Sequence, residues 1–99
     1  MSERIDQIAI RVIEIFLLRH ELFLTGDYEV RDYGRHRVWE VSAWCNGIIQ
    51  ATDFWYVLSD YLDDYGQHCP ACYRFQPYDV KVYPGAVGGT SNIYMSIYQ

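Results

Sequence analysis

The sequence predicts an α+β domain in which a small antiparallel sheet of four or five strands carries two helices on one face. Two stretches, near residues 3–24 and 53–65, repeat apolar residues at helical spacing, whereas the segments after each alternate apolar and polar residues. Single glycines at positions 26, 34, 47 and 66 and a glycine-rich run over 84–90 separate these stretches. The predicted order of elements is α-β-β-β-α-β-β, and residues 1–99 are expected to form one domain.

The first helix is expected to begin near residue 3, because the Ser2 hydroxyl suits an N-cap. The segment Thr25-Gly26-Asp27 is expected to end it, with Gly26 in the left-handed conformation. Its apolar arc is broad and extends to Leu17 and Leu22, so the arc faces either the core of the domain or another subunit.

Two antiparallel strands are predicted next, near residues 28–33 and 37–45, because side chains alternate in character along both segments. Asn46-Gly47 is typical of a type I′ turn, in which both central residues have positive φ. This turn predicts a third strand, Ile48 to Ala51, that folds back on the second.

A second helix is predicted over 53–65, with Thr52 as its N-cap and Gly66 at its end. Residues 73–83 are predicted to form a strand that Pro77 either bends or restricts to a sheet edge. After a glycine-rich connector, residues 92–98 form the last strand. The core is predicted to contain Ile8, Val12, Phe16, Trp39, Val41, Ala43, Phe54, Leu58, Leu62, Val80, Val82, Ile93, Met95 and Ile97.

Composition and charge exclude several classes of protein. Hydrophobic residues make up 51% of the chain and charged residues 21%, which excludes an intrinsically disordered chain. Thirteen acidic against eight basic residues give a net charge of −5, which argues against direct binding to nucleic acid because phosphates attract basic surfaces. No apolar run reaches the roughly 18 residues of a transmembrane helix. We therefore expect no membrane binding. Three cysteines, an odd number, fit a reducing compartment, so we expect a cytoplasmic protein.

The clearest candidate for function is an acidic helix. Between Arg37 and Arg74 the sequence has no lysine or arginine but has five acidic residues. At 100° per residue, Asp53, Asp60 and Asp64 fall within about 40° of one another, opposite the apolar side of the second helix. The predicted partner-binding residues are Asp53, Tyr56, Asp60, Asp63 and Asp64.

A row of carboxylates can take the place of phosphates in the basic groove of a nucleic-acid-binding protein. We therefore expect a small non-enzymatic inhibitor or adaptor that occupies such a groove in a larger protein. Small inhibitors of bacterial nuclease-based defence, such as anti-CRISPR proteins, have a similar size and charge, which is a likeness of composition and not of motif. The alternative is a helix face that is acidic for solubility. No residues have the spacing of a catalytic set.

Two further hypotheses remain open. His68-Cys69-Pro70-Ala71-Cys72 is a C-x-x-C segment with a neighbouring histidine, to which Cys45 would add a third thiolate. The predicted ligands of a structural zinc are thus Cys45, His68, Cys69 and Cys72. A second such pair, typical of zinc sites, is absent, and ordinary buried or loop cysteines are the alternative. The other hypothesis is a homodimeric subunit that uses the arc of the first helix or the tyrosines of the last strand.

Overall fold

The computed structural model describes residues 2–68 and 74–99, which form two helices and a five-stranded antiparallel sheet. In chain order the elements are α1 (Ser2–Arg19), β1 (Phe23–Leu24), β2 (Glu29–Asp32), β3 (Arg37–Asn46), α2 (Ala51–Gln67), β4 (Gln76–Pro84) and β5 (Thr90–Tyr98). This confirms the predicted α+β class and the order α-β-β-β-α-β-β.

The two longest-paired strands, β3 and β5, form the centre of the sheet. They pair without interruption from Val38 opposite Tyr98 to Asn46 opposite Thr90. The other edge of β5 pairs with β4. The short strands β1 and β2 lie end to end along the remaining edge of β3, and the Thr25 N–H between them donates to the Ser42 carbonyl at 3.0 Å. Therefore β4 lies at one edge of the sheet, and β1 and β2 lie at the other.

The core lies between one face of this sheet and both helices. Alternate residues of the two central strands point toward the helices, so about every second side chain of β3 and β5 is buried. Of the fourteen predicted core residues, all belong to this cluster, and three of them, Ile8, Val80 and Val82, are half-buried at its margin. The helices also contact each other, because the Tyr61 hydroxyl of α2 donates to the Val12 carbonyl of α1 at 2.6 Å.

The first helix ends earlier than predicted, at Arg19 instead of near Thr25-Gly26-Asp27. The Leu22 N–H donates to the Leu17 carbonyl at 2.9 Å, and Glu21 has a φ of 55°. Together with a 3.4 Å bond from the Glu21 N–H to Leu18, this is a Schellman motif. Because Leu17 and Leu22 are both buried, the motif gains an apolar contact that offsets the left-handed conformation of a non-glycine residue. These two leucines therefore belong to the core.

The prediction of a third strand over Ile48 to Ala51 is wrong. After β3 the chain turns toward the start of β5, where the Ser91 hydroxyl donates to the Gly47 carbonyl at 2.8 Å and accepts from the Ile49 N–H at 3.3 Å. Asn46 keeps the extended conformation of β3, so the type I′ turn does not form. Both edges of β3 are already paired, one with β5 and the other with β1 and β2.

The second helix is longer than predicted. It begins after Gln50 instead of Thr52, because Gln50 has extended angles and its carbonyl accepts from the Phe54 N–H at 3.0 Å. Gly66 continues the helix, which ends at Gln67. Both predictions about Pro77 are confirmed: β4 is an edge strand, and a bulge lies between Pro77 and Asp79.

One carboxylate fastens the start of α1 to the sheet. Arg37 of β3 donates to Asp6 through Nε at 2.7 Å and through Nη2 at 2.9 Å. The indole N–H of the fully buried Trp39 donates to the same carboxylate at 2.7 Å. The hydrogen bonds from Arg37 and Trp39 lower the pKa of Asp6, although partial burial acts in the opposite direction.

Candidate functional site

All five predicted partner-binding residues lie on the solvent side of α2. Phe54, Leu58 and Leu62 are buried against the sheet and the first helix, and helical geometry then turns the opposite side outward. On that side the structure exposes Asp53, Tyr56, Asp60, Asp63 and Asp64. We call this set the acidic face. The structure thus brings together the residues that the sequence pattern grouped, on one rigid element.

The charges of the acidic face are mostly uncompensated. Of its four carboxylates, only Asp64 lies within ion-pair distance of a basic side chain in residues 2–68 and 74–99, that of His68, with Nδ1 and Oδ1 3.3 Å apart. Asp53 lies in the first turn, where the helix macrodipole favours a carboxylate. Asp64 lies in the last turn, where the macrodipole disfavours one by about 0.3–1 kcal/mol. The acidic character at that end therefore does not stabilise the helix.

A groove runs between α2 and the edge strand β4. It consists of two adjoining hollows, one of about 690 Å³ and one of about 240 Å³, that share the Trp55 side chain. The helix side contributes Ala51, Thr52, Trp55, Tyr56, Ser59 and Asp63, and the strand side contributes Gln76, Pro77, Tyr78 and Val80. We call this the α2–β4 groove. It adjoins the acidic face, because Tyr56 and Asp63 belong to both.

The larger hollow of the α2–β4 groove is lined in part by a cluster of aromatic rings. Tyr78 lies in the bulge of β4, and its ring centroid is 5.6 Å from that of Tyr98 and 5.9 Å from that of His36. Tyr33 stacks on Tyr78 at 6.5 Å. The Tyr98 hydroxyl donates to Gln76 at 2.8 Å, which fixes its ring. Contacts of this kind hold aromatic side chains in defined positions at the surface.

A third hollow, of about 340 Å³, lies on the sheet face that the helices leave open. Its charged side chains are paired with each other or with near neighbours: Lys81 lies 3.8 Å from Asp79, and Arg31 lies 3.5 Å from Glu40. Tyr83 and Tyr94 pack edge to face beside them at 5.7 Å. Because its charges are paired, this hollow should attract a charged partner less strongly than the acidic face does.

The structure tests the predicted zinc ligands only in part. Cys69 and Cys72 lie outside the described residues. Cys45 is buried in the core at the end of β3, and this burial raises the pKa of its thiol, whereas zinc binds the thiolate. His68 is exposed and contacts Asp64. Over residues 2–68 and 74–99, no three histidine, cysteine or acidic side chains come together in a way that would hold a metal ion.

The α2–β4 groove was not predicted from the sequence. Trp55 and Tyr78 lie far apart in the chain, and only the packing of α2 beside β4 brings them to one hollow. A partial signal was present, because Pro77 favoured an edge strand. What the sequence did not show is that α2 lies next to that edge.

No protein-family model, curated protein or solved structure matches this chain. Neither α1 nor α2 combines the length with the apolar character that crossing a membrane requires.

Proposed function

We propose that this chain is a non-enzymatic protein-binding domain whose acidic face occupies a basic, nucleic-acid-binding groove of a larger protein. It would act as an inhibitor or adaptor, in the manner of a nuclease inhibitor or an anti-CRISPR protein. The observation that carries the proposal is the exposed, largely unpaired set of carboxylates on one side of a 17-residue helix.

The geometry of α2 supports this proposal. At 1.5 Å of rise per residue, Asp60 and Asp64 are about 6 Å apart along the axis, and Asp53 is about 10 Å from Asp60. A basic groove that binds a row of phosphates attracts a row of carboxylates through the same field. Tyr56, with 64% of its surface exposed, offers a large contact area at low cost in side-chain entropy.

The buried side of the same helix makes the acidic face rigid. Phe54 packs edge to face on Phe16 of α1 with ring centroids 5.6 Å apart, and Tyr61 is bonded to the α1 backbone. A partner therefore meets carboxylates whose backbone is already ordered, which reduces the entropy lost on binding.

The test is affinity capture from a nuclease-treated lysate of the organism that encodes the chain. Nuclease treatment removes nucleic acid that would bridge two proteins. We expect the wild type to retain one nucleic-acid-binding protein in near-stoichiometric yield, and Asp60→Lys with Asp64→Lys to lose it. The matched control is Glu14→Lys with Asp27→Lys, which changes the net charge equally at exposed positions outside the acidic face. This control should retain the partner.

The outcome is interpretable because all four positions are exposed, so thermal unfolding should change little in either double variant. If both double variants lose the partner, binding depends on net charge and not on the acidic face. If neither loses it, the proposed surface is wrong.

A further inference from the structure

The edge strand β4 has backbone N–H and C=O groups that point away from β5, its neighbour in the sheet. At the end of its hairpin with β5, the Gly85 N–H donates to the Thr90 carbonyl at 2.9 Å. Hydrogen-bonded and non-hydrogen-bonded pairs alternate along an antiparallel ladder, and the register continues unbroken back to Asp79. Lys81 and Tyr83 therefore bond to β5. The N–H and C=O groups of Val80 and Val82 point away from β5, toward the open edge.

The other side of β5 gives the same assignment. Arg37 and Gln99 exchange both backbone hydrogen bonds, at 2.9 and 3.1 Å, so they are a hydrogen-bonded pair of β3 and the chain after β5. By alternation, the backbones of Ile93 and Met95 bond to β3, whereas that of Tyr94, which lies between them, bonds to β4. The residues of β4 opposite Ile93 and Met95 are Val82 and Val80, which therefore have no backbone partner on β5.

Two prolines confine the open edge to this short segment. Pro84 lies opposite Ser91, and Pro77 lies opposite Ile97, both at positions whose backbone nitrogen faces outward. Because proline has no N–H, neither position can donate a hydrogen bond to an added strand. Within the described parts of the chain no strand pairs with this edge. Val80 and Val82 therefore offer two donors and two acceptors between two blocked positions.

The α2–β4 groove lies beside this open segment. Side chains of a strand alternate between the two faces of a sheet, so every second residue of an added strand would point toward α2. There it would meet Trp55 and Val80, which line the same hollow. Farther along the groove, the exposed Asp63 has no ion pair with any described residue and offers a charge to a basic side chain.

We propose that the open segment Val80 to Val82 and the α2–β4 groove bind an extended peptide segment of a partner protein. The peptide adds a short strand to β4, places an apolar side chain against Trp55, and directs a lysine or arginine toward Asp63. A second copy of this chain fits poorly, because pairing through β4 would bring two acidic α2 helices together. The inference is separate from the proposed function, since its main contacts are backbone groups of β4.

The test uses the capped hexapeptide Val-Thr-Val-Thr-Lys-Thr, in which the valines and the lysine lie on one face of the strand, added to the full chain labelled with ¹⁵N. In the free protein, the amides of Val80 and Val82 should exchange with solvent much faster than those of Lys81 and Tyr83, which are bonded to β5. With saturating peptide, exchange at Val80 and Val82 should slow at least tenfold. A control peptide that is N-methylated at alternate residues cannot complete the ladder and should bind at least tenfold more weakly.

Substitutions in β4 and in the groove distinguish a loss of peptide binding from a loss of folding. Val82→Pro removes an outward N–H without removing a bond to β5, so it should preserve the melting temperature within a few degrees and weaken the peptide at least tenfold. Trp55→Ala gives an independent variant of the groove if the proline disturbs β4. The matched control Tyr94→Ala, on the open face of the sheet, should bind normally.

Three results would overturn the inference: unchanged exchange at Val80 and Val82 with saturating peptide, equal affinity for the N-methylated peptide, or protection of these amides by self-association. Light scattering detects self-association and so distinguishes the third result from binding of the peptide. The double variant Asp60→Lys with Asp64→Lys should still show protection of both amides at saturating peptide. Failure of the acidic face as a docking surface is therefore measured apart from failure of the β4 edge.

Discussion

Replacing Asp6 with alanine should destabilise the fold mainly through Trp39. The indole N–H of Trp39 donates to Asp6 at 2.7 Å, and the side chain is fully buried, so removal of the carboxylate leaves a buried donor without its acceptor. An unsatisfied buried donor costs about 1–3 kcal/mol. A loss of 2 kcal/mol corresponds to a melting temperature lower by roughly 8–16 °C in a domain of this size. Asp6→Asn keeps an acceptor oxygen and should lose less.

The assay is urea unfolding followed by circular dichroism, in a double-mutant cycle with Trp39→Phe. Phenylalanine has no N–H, so in that background the loss caused by Asp6→Ala should shrink by the same 1–3 kcal/mol. An equal loss in both backgrounds would refute the role assigned to the Trp39–Asp6 hydrogen bond.

The same variant has a defined dependence on pH. Hydrogen bonding from Arg37 lowers the pKa of Asp6 in the folded chain. A lowered folded pKa gives stability that is present above the unfolded pKa, about 3.9, and is lost as the pH falls through the folded value. The difference in stability between wild type and Asp6→Ala should therefore be constant from pH 7 to 5 and narrow below about pH 4. A constant difference down to pH 2 would contradict this.

Three further predictions concern the backbone and the helix contact, all measured by urea unfolding. Glu21→Gly should stabilise by about 1 kcal/mol because Glu21 has positive φ, whereas Glu14→Gly, in the middle of α1, should destabilise by about 1 kcal/mol. Equal changes in stability for Glu21→Gly and Glu14→Gly would contradict the assignment of a Schellman motif. Gly85→Ala should destabilise by about 1–3 kcal/mol, because a β-carbon there overlaps the Thr90 hydroxyl, and Thr90→Ala should restore part of the loss. Tyr61→Phe should lose about 1 kcal/mol with the helix-to-helix hydrogen bond, and an unchanged stability would show that this bond contributes nothing.

Features with strong periodicity were predictable from the sequence. The core residues of β3 and β5 alternate with a period of two, and those of α2 recur at helical spacing, so each set identifies its own buried face. The acidic face was predictable for the same reason: once Phe54, Leu58 and Leu62 are buried, the opposite side of the helix must face solvent.

Features that depend on distant parts of the chain were not predictable. Glycine at position 26 is the better residue for a left-handed helix end, yet α1 ends at Arg19 with Glu21 as the left-handed residue, because this path buries Leu22 in the core. Asn46-Gly47 has the sequence of a tight turn, but the Ser91 hydroxyl, far along the chain, holds the segment in another path. The α2–β4 groove likewise exists only once α2 and β4 are neighbours in space.

The pairing of β3 with β5 bears on when this protein can fold during synthesis. The neighbours of β3 on its other edge are the short strands β1 and β2, whereas its long partner β5 comes after α2 and β4. A nascent chain that has emerged only as far as α2 therefore presents β3 with one edge unpaired and with the inner face of Trp39 and Val41 incompletely covered. Such edges promote association between chains. Until β5 leaves the ribosome, the edge of β3 that later pairs with β5 is therefore available to a strand of another chain.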